Sequence, residues 1–498
     1  MEEHALRREV FGNTAWQGVT TAINKIGALA FTIILARFLL PEDYGTYYLA
    51  FSVALLFFSF TDLGIKTAAI TYASKAYASK KYKKAAANFL FLYKIRFWIT
   101  LGIAIILALT AYPIANFIYD KPVLFVPLIL LAVYFFIINI SSLLVSVFQI
   151  IRNYKYIAIK EIVAQGGRLV FSLVVFLGLA SAYYLNSIFI ALIIAEFIVL
   201  ITALILVKKE APFILEKSDV KVERRKILKF ISYTSIALVS FSIFGYIDIL
   251  MLGFFIKDNS FIGFYSSAMN LVISAAGLLM FGNAVLLPVF SSLKEKAVEA
   301  PLNKVLRYAA MISIPASFGL AVVGRYVIAL IFGYEFVPAR FPLYFLSFLI
   351  FSSAITNILN TLFSAREKPK VVAKAIIWTL AINVVLNIIL ISQLAKISNL
   401  WAISGAAIAT LIGRYAFTGT LFVMSKKHLN VHLNLGELVR PLIASGIMAA
   451  VVYYLIQLFG DINIWNGGVI ILSGVVTYVL IMLLIGGVNK GDLDYLRF

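Results

Sequence analysis

The sequence predicts an all-α polytopic membrane protein with about fourteen transmembrane helices, and three observations carry the prediction. Of its 498 residues, 62% are hydrophobic and 13% charged, where a soluble domain averages about 45–50% and about 25%. Apolar runs of roughly 20 residues, enough to cross a ~30 Å hydrocarbon core, recur along the whole chain with short polar connections. Lys and Arg fall mainly in alternate connections, the pattern that orients spans in a bilayer. Even spacing and run length favour helices over a barrel, whose strands alternate with period two.

The runs lie near 10–37, 46–73, 86–111, 123–150, 157–180 and 184–207, then near 230–256, 261–290, 305–331, 339–364, 371–393, 400–424, 437–459 and 464–487. The opening Met1-Glu2-Glu3-His4 is acidic and the first run outlasts a signal h-region, so no cleaved signal peptide is expected. Connections on the N-terminal side hold 29 Lys and Arg, against five opposite (Arg37, Lys121, Lys257, Arg340 and Lys396). Positive charge stays inside, so a multi-pass cell-membrane protein with cytoplasmic N- and C-termini is expected. The net charge of +20 is thus a topology signal, and no nucleic-acid partner is expected. The chain has no cysteine, which excludes disulfides, thiolate metal sites and cysteine nucleophiles.

The longest polar stretch, 208–229, divides the chain. It reads as a solvated cytoplasmic linker between an N-lobe at 1–207 (spans 1–6) and a C-lobe at 230–424 (spans 7–12). Two extra spans and a tail follow at 425–498. The lobes echo each other: Leu40-Pro41-Glu42-Asp43-Tyr44-Gly45 and Asn259-Ser260-Phe261-Ile262-Gly263 each lead from an outer turn into a helix. An offset of 218 aligns Gly45 with Gly263 and Gly27 with Gly245. Six intervening spans make the repeat parallel, an arrangement in which transporters place substrate between halves.

The segment Leu35-Ala36-Arg37-Phe38-Leu39-Leu40-Pro41-Glu42-Asp43-Tyr44-Gly45 resembles the opening signature of the polysaccharide flippases, the Wzx-like branch of the MOP exporter superfamily. Ile331-Phe332-Gly333-Tyr334-Glu335-Phe336 and Ile403-Ser404-Gly405-Ala406-Ala407-Ile408-Ala409-Thr410 are similar to further family segments, as is Asp248 placed before Gly263-Phe264-Tyr265. The resemblance implies two pseudo-symmetric six-helix lobes in a V, plus two peripheral C-terminal helices. It implies movement of isoprenoid-diphosphate-linked oligosaccharide or polysaccharide from the cytoplasmic to the outer leaflet by alternating access. The implied partners are the lipid-linked glycan, membrane lipids and glycan-assembly enzymes, with the chain acting as a monomer.

Ionisable side chains deep in a bilayer cost several kcal/mol, so they face a cavity or a partner. Six residues are therefore the candidate substrate-binding set of a central cavity: Asn24, Lys25, Asp62, Lys66, Arg168 and Asp248. Asn13, Gln17, Thr21 and Asn24 share one face of span 1, with Thr20 and Lys25 beside it. Lys25 attracts a diphosphate on the functional reading and is held structurally by Asn and Thr neighbours on the other. Asp62 and Lys66, at i,i+4 in span 2, can pair within the helix. Arg168, after Gly166-Gly167, can fork onto phosphate oxygens, with Glu161 two turns earlier as a neutralising acid. Asp248 has no cation within one turn, so its partner is expected on another helix, Lys25 or Lys66; a carboxylate for ion coupling is the alternative role. Glu196 and Arg414 read as helix-to-helix ties. Lys94 and Arg96 read as residues that snorkel to the cytoplasmic surface, and Pro288 and Pro315 as helix kinks.

No Gly-Lys-Ser/Thr phosphate loop is present, and His428 and His432 lack a third ligand, so neither ATP drive nor a metal site is expected. No cofactor is expected; coupling to an H+ or Na+ gradient or to membrane potential supplies the drive. A non-enzymatic flippase is the reading. Its rivals are a MATE-like cation-coupled drug or metabolite antiporter and a membrane glycosyltransferase or ligase. The deep charges are mostly basic, against the first, and the outer connections are short and lack His, against the second.

Overall fold

A computed structural model describes residues 2–216, 218–278, 283–293, 297–460 and 464–487. The basic residues Lys217, Lys294, Lys296, Lys490 and Arg497 lie outside that set. Helices account for nearly all of the described chain, as they must where no water can satisfy backbone groups. The chain divides into two compact units, Met1–Gly263 and Phe264–Phe498.

Unit 1 contains α1 (Glu2–Asp62), α2 (Ile65–Ala78), α3 (Tyr82–Pro113), α4 (Phe125–Ile150), α5 (Lys155–Gly178), α6 (Tyr184–Glu210) and α7 (Arg224–Phe255). It also holds the first residues of α8 (Asn259–Leu278). The 61 residues of α1 are about three times the ~20 that a bilayer needs, and the helix is broken at Leu40, whose φ is 59°. Pro41 explains the break, because its ring disfavours helical backbone in the residue before it. A second break follows at Leu63 and Gly64, with φ of 44° and 83°.

The core of unit 1 joins α2, α3, α4 and the end of α6 through Ile65, Ala69, Phe89, Leu92, Leu143 and Phe148. Lipid tails are as apolar as leucine, so small residues that bring helices close matter most here, and α2 presents Ala68, Ala69, Ala73 and Ala76. The polar stretch 208–229 is not wholly solvated. Ile214 and Ile227 enter the same core, Phe213 stacks on Tyr77, and Glu223 pairs with Lys84 at 3.0 Å. The boundary between units falls at Gly263, beyond this stretch, and α7 packs along α1 within unit 1.

Unit 2 continues through α9 (Asn283–Ser292), α10 (Glu299–Ile331), α11 (Arg340–Leu346), α12 (Leu349–Ala365) and α13 (Pro369–Leu394). It ends with α14 (Asn399–Leu429), α15 (Val439–Phe459) and α16 (Ile464–Leu484). Its core gathers Phe290, Leu302, Leu359, Phe363 and Phe417. Gly405 and Gly413 let α14 lie close against Leu390 and Asn383 of α13. A satellite core of Met448, Val452, Ile456 and Ile470 packs on Phe318 and Val322, tying α15 and α16 to α10. Pro288 and Pro315 sit inside α9 and α10, rather than at helix ends.

Among the described residues, ten helices are long and apolar enough to cross a membrane, or eleven with the pair Tyr334–Leu346 and Leu349–Ala365, bent by 47°. The protein is therefore a multi-pass membrane protein. The expected count of fourteen exceeds these ten or eleven. α7 passes only as the shorter apolar segment Ser242–Phe255.

Candidate functional site

Unit 1 draws charged side chains from five helices into one largely buried polar network. The Asp62-Leu63-Gly64 break starts it. Asp62 is the last residue of α1, and its Oδ1 accepts from the backbone N–H of Lys66 at 3.1 Å, capping the new helix α2. The same oxygen accepts from Arg96 Nη1 at 2.9 Å. The ion-pair partner of Asp62 is thus Arg96 of α3, not the Lys66 ammonium, because the break removes the i,i+4 geometry on which that pairing depends. Arg96 does not snorkel. Its side chain is 4% exposed, and its Nη2 donates to Asn139 Oδ1 at 2.8 Å and Ser142 Oγ at 3.2 Å on α4. Asp62 remains 41% exposed.

The buried face of α5 repeats at helical spacing through Glu161, Gln165, Ser172 and Phe176, and carries two acid–base pairs. Lys160 Nζ lies 3.1 Å from Glu161 Oε2, and Gln165 Nε2 donates to Glu161 Oε1 at 3.0 Å. Arg168 Nη2 donates to the Tyr134 hydroxyl at 3.0 Å and lies 3.9 Å from Glu196 Oε2. Ser141 donates to Glu196 Oε1 at 2.6 Å. Arg168 is thus balanced by Glu196 of α6 directly, while Glu161 is bonded to Lys160 and Gln165. Lys66 lies within electrostatic reach of Arg96, Asp62, Lys160 and Glu161, and Glu161 also reaches Arg168.

Of the six sequence candidates, Asp62, Lys66 and Arg168 therefore come together in this network. Asn24 is exposed and Lys25 half-buried on α1, and Asp248 is buried on α7. The Thr20 and Thr21 hydroxyls of the polar stripe donate to the carbonyls of Trp16 and Gln17, so part of that stripe satisfies its own helix. Sequence reasoning missed Arg96 and Lys160. The signal for Arg96 is the spacing Asn88, Arg96, Thr100, which puts three polar residues on one buried face of α3.

The network has an orientation. Lys160 and Arg168 are 18% and 23% exposed, whereas their acids Glu161 and Glu196 are 9% and 2%. In these two pairs the cation stands forward and the acid behind, whereas in the Asp62–Arg96 pair the acid is the more exposed partner. Four cations against three acids leave the seven residues formally cationic.

A second built feature lies where α1 meets the start of α8. A Cβ on Gly45 would sit 1.9 Å from the Asn259 carbonyl oxygen, and one on Gly263 would sit 2.1 Å from that of Pro41, so only glycine permits this approach. Lys121 Nζ donates to Ile256 O at 2.8 Å and Asn259 Oδ1 at 2.6 Å. Asn259 Nδ2 donates to Thr46 Oγ1 at 2.7 Å, and Thr46 donates to Glu42 O at 3.0 Å. Burial of Lys121 pushes its ammonium down to about 8, against the pull of Asp258. The second glycine match is not equivalent: a Cβ on Gly27 would meet Gln165, and one on Gly245 would meet open space.

The chain is similar over 267 residues to the probable low-salt glycan biosynthesis flippase Agl15 of Haloferax volcanii, with 22% identity. That match covers 52% of this chain and about half, 54%, of the relative. The fold is similar to the lipid II flippase MurJ in an inward closed conformation, with a TM-score of 0.72, 16% identity and coverage of 94% and 98%. It is also similar to an inward-facing multidrug resistance MATE family transporter of the MOP superfamily, with a TM-score of 0.63, 13% identity and coverage of 82% and 95%. The family model described as polysaccharide biosynthesis protein matches residues 10–294. That segment holds the Leu35–Gly45 signature and the whole charged network, and because it spans more than half of the chain, the protein belongs to the polysaccharide biosynthesis protein family.

Proposed function

We propose that this protein is a flippase that moves isoprenoid-diphosphate-linked oligosaccharide or polysaccharide units from the cytoplasmic to the outer leaflet of the cell membrane. The carrying observation is the forward placement of Lys160 and Arg168 over the recessed Glu161 and Glu196 within membrane-spanning helices, with Lys66 in electrostatic reach of the first pair. A diphosphate entering such a region needs cations that are exposed enough to reach it and are held charged by neighbours. The family to which the chain belongs supports the same reading, as do the similarities to Agl15 and MurJ. Fourteen spans, cytoplasmic termini, and two six-span lobes that open alternately to either face complete the proposal. Lys25 and Asn24 extend the cationic wall along α1, and Asp248 senses the coupling ion or potential. The outer closure is the glycine contact between Gly45 and Gly263, which has to part for release.

The MATE-like fold keeps a cation-coupled antiporter as the second reading, and substrate charge separates the two. Lys66→Ala and Lys160→Gln, which keeps a hydrogen-bond donor beside the buried Glu161, should each abolish appearance of lipid-linked glycan at the outer leaflet while melting stays near wild type. Arg substitutions should restore part of the transport. Arg168→Ala is a poorer test, because it strands the buried Glu196. Transport of a small organic cation that is untouched by both lysine variants would sink the flippase reading.

A further inference from the structure

Unit 2 contains a cavity of about 370 Å³ lined by Arg307 of α10, Glu437, Arg440 and Pro441 around the start of α15, and Gly487 just beyond α16. α10 and α15 begin here and α16 ends here, so the cavity opens at the end of three spans, at the depth of lipid headgroups on whichever face it lies. Arg307 Nη2 donates to Gly487 O at 2.9 Å, and Arg440 Nη1 donates to Gly486 O at 2.7 Å. Glu437 Oε2 lies 3.7 Å from Arg307 Nε. Among the described residues the lining holds two guanidiniums against one carboxylate, and the positive end of the α15 dipole adds to that positive charge.

Both arginines cap carbonyls just past α16. Each capping bond uses one N–H group, and both guanidiniums also border the open polar cavity. The walls are also fixed in advance. Asn303 Nδ2 donates to His432 O at 2.9 Å, the Asn434 N–H to Asn303 Oδ1 at 3.0 Å, and the His432 N–H to Glu299 Oε2 at 2.9 Å. These bonds hold the connection before α15 against α10, so an anion meets a rigid site and little ordering entropy opposes binding.

We propose that this cavity binds the phosphate group of an anionic membrane lipid, with Arg440 and Arg307 as its cationic arms and Glu437 as the carboxylate that limits its strength. The bound headgroup would bridge α10 to the α15–α16 pair and hold the two C-terminal helices in place. The site belongs to unit 2 alone and does not depend on what unit 1 transports.

The test uses the full chain in nanodiscs of phosphatidylcholine, with and without phosphatidylglycerol, with lipid retention read by native mass spectrometry. Arg440→Gln should lower retention of the anionic lipid about fivefold, the equivalent of about 1 kcal/mol per basic residue near an anionic surface. Glu437→Gln should raise it by a similar factor, and this variant leaves both arginine–carbonyl bonds intact. In pure phosphatidylcholine, inorganic phosphate that protects against thermal unfolding would identify free phosphate as the source; retention of phosphatidylglycerol without phosphate protection identifies the headgroup. Equal retention by wild type and both variants, with no phosphate protection, would overturn the site. So would an Arg440→Gln defect of equal size in both lipids with Glu437→Gln silent, because the arginines would then be helix caps only.

Discussion

A methyl group on Gly45 should force apart the close backbone approach between α1 and the start of α8. The added Cβ would stand 1.9 Å from the Asn259 carbonyl oxygen and ordinary contact begins at 3.4 Å, so the start of α8 must retreat by 1.5 Å. Neither side can yield locally, because the obstacle is backbone. The same retreat would stretch the Asn259–Thr46 bond from 2.7 Å past hydrogen-bonding range. Overpacking costs about 1–3 kcal/mol and a lost hydrogen bond about 1, while alanine in place of helical glycine returns up to ~1, for a net destabilisation of about 2–3 kcal/mol. The assay is unfolding of purified Gly45→Ala, together with labelling of Thr46→Cys by a membrane-impermeant maleimide in this cysteine-free chain. Labelling should accelerate as the contact opens. Gly263→Ala should behave alike, and the double variant should cost less than the two singles combined, because one retreat relieves both clashes. Gly245→Ala, which meets open space, should be neutral or stabilising. Unchanged unfolding and unchanged labelling in Gly45→Ala would refute the close approach.

Asp62→Asn leaves Arg96 buried without its carboxylate, whereas Arg96→Gln leaves a half-exposed Asp62. The first should therefore destabilise more, by about 2 kcal/mol, as calorimetric melting of the two variants would show. Lys121 lies between the spans with its ammonium pushed down to about 8, so from pH 8 to about 10.4 the unfolded chain binds more protons and stability should rise with pH. The neutral amine keeps two N–H donors for Ile256 and Asn259, and the increment should be absent from Lys121→Met and so appear in the wild-type-minus-variant curve. Orientation is checked by single cysteines: Ser79→Cys and Ser218→Cys should resist impermeant reagents in intact cells, and Asn186→Cys should react. The opposite pattern would invert the topology.

Much of the fold is legible because a bilayer imposes a length rule that no local propensity overrides. Runs of about 20 apolar residues found the spans, and Leu40-Pro41 marked the first break through a steric effect confined to two residues. The break at Leu63-Gly64 was less visible. Asp-x-Gly is a turn signal, but it lies inside an apolar run that reads as one uninterrupted span. The glycine repeat was half legible. Gly45 and Gly263 share a close contact, while Gly27 and Gly245 share only an offset in number.

For the charged network, presence was legible and pairing was not. An ionisable residue in an apolar run stands out by composition, which found Asp62, Lys66 and Arg168. Depth measured along the chain misplaced Arg96, because its burial depends on which face of α3 it occupies and on what α4 brings to that face. Partner choice depends on helix packing in the same way. Glu161 lies seven residues before Arg168, a rise of about 10 Å along the axis, which α5 alone cannot close. α6 packs on both α4 and α5 and carries Glu196 to Arg168, and Ser141 then fixes the other carboxylate oxygen. Glu161 is thereby free to neutralise Lys160, and two recessed acids each hold a more exposed cation. That division follows from the order in which helices pack, so it is visible only in three dimensions. It also implies that exchanging Glu161 and Lys160, which keeps the composition and the net charge, would turn the forward charge at position 160 negative and lower diphosphate transport in a protein that still folds.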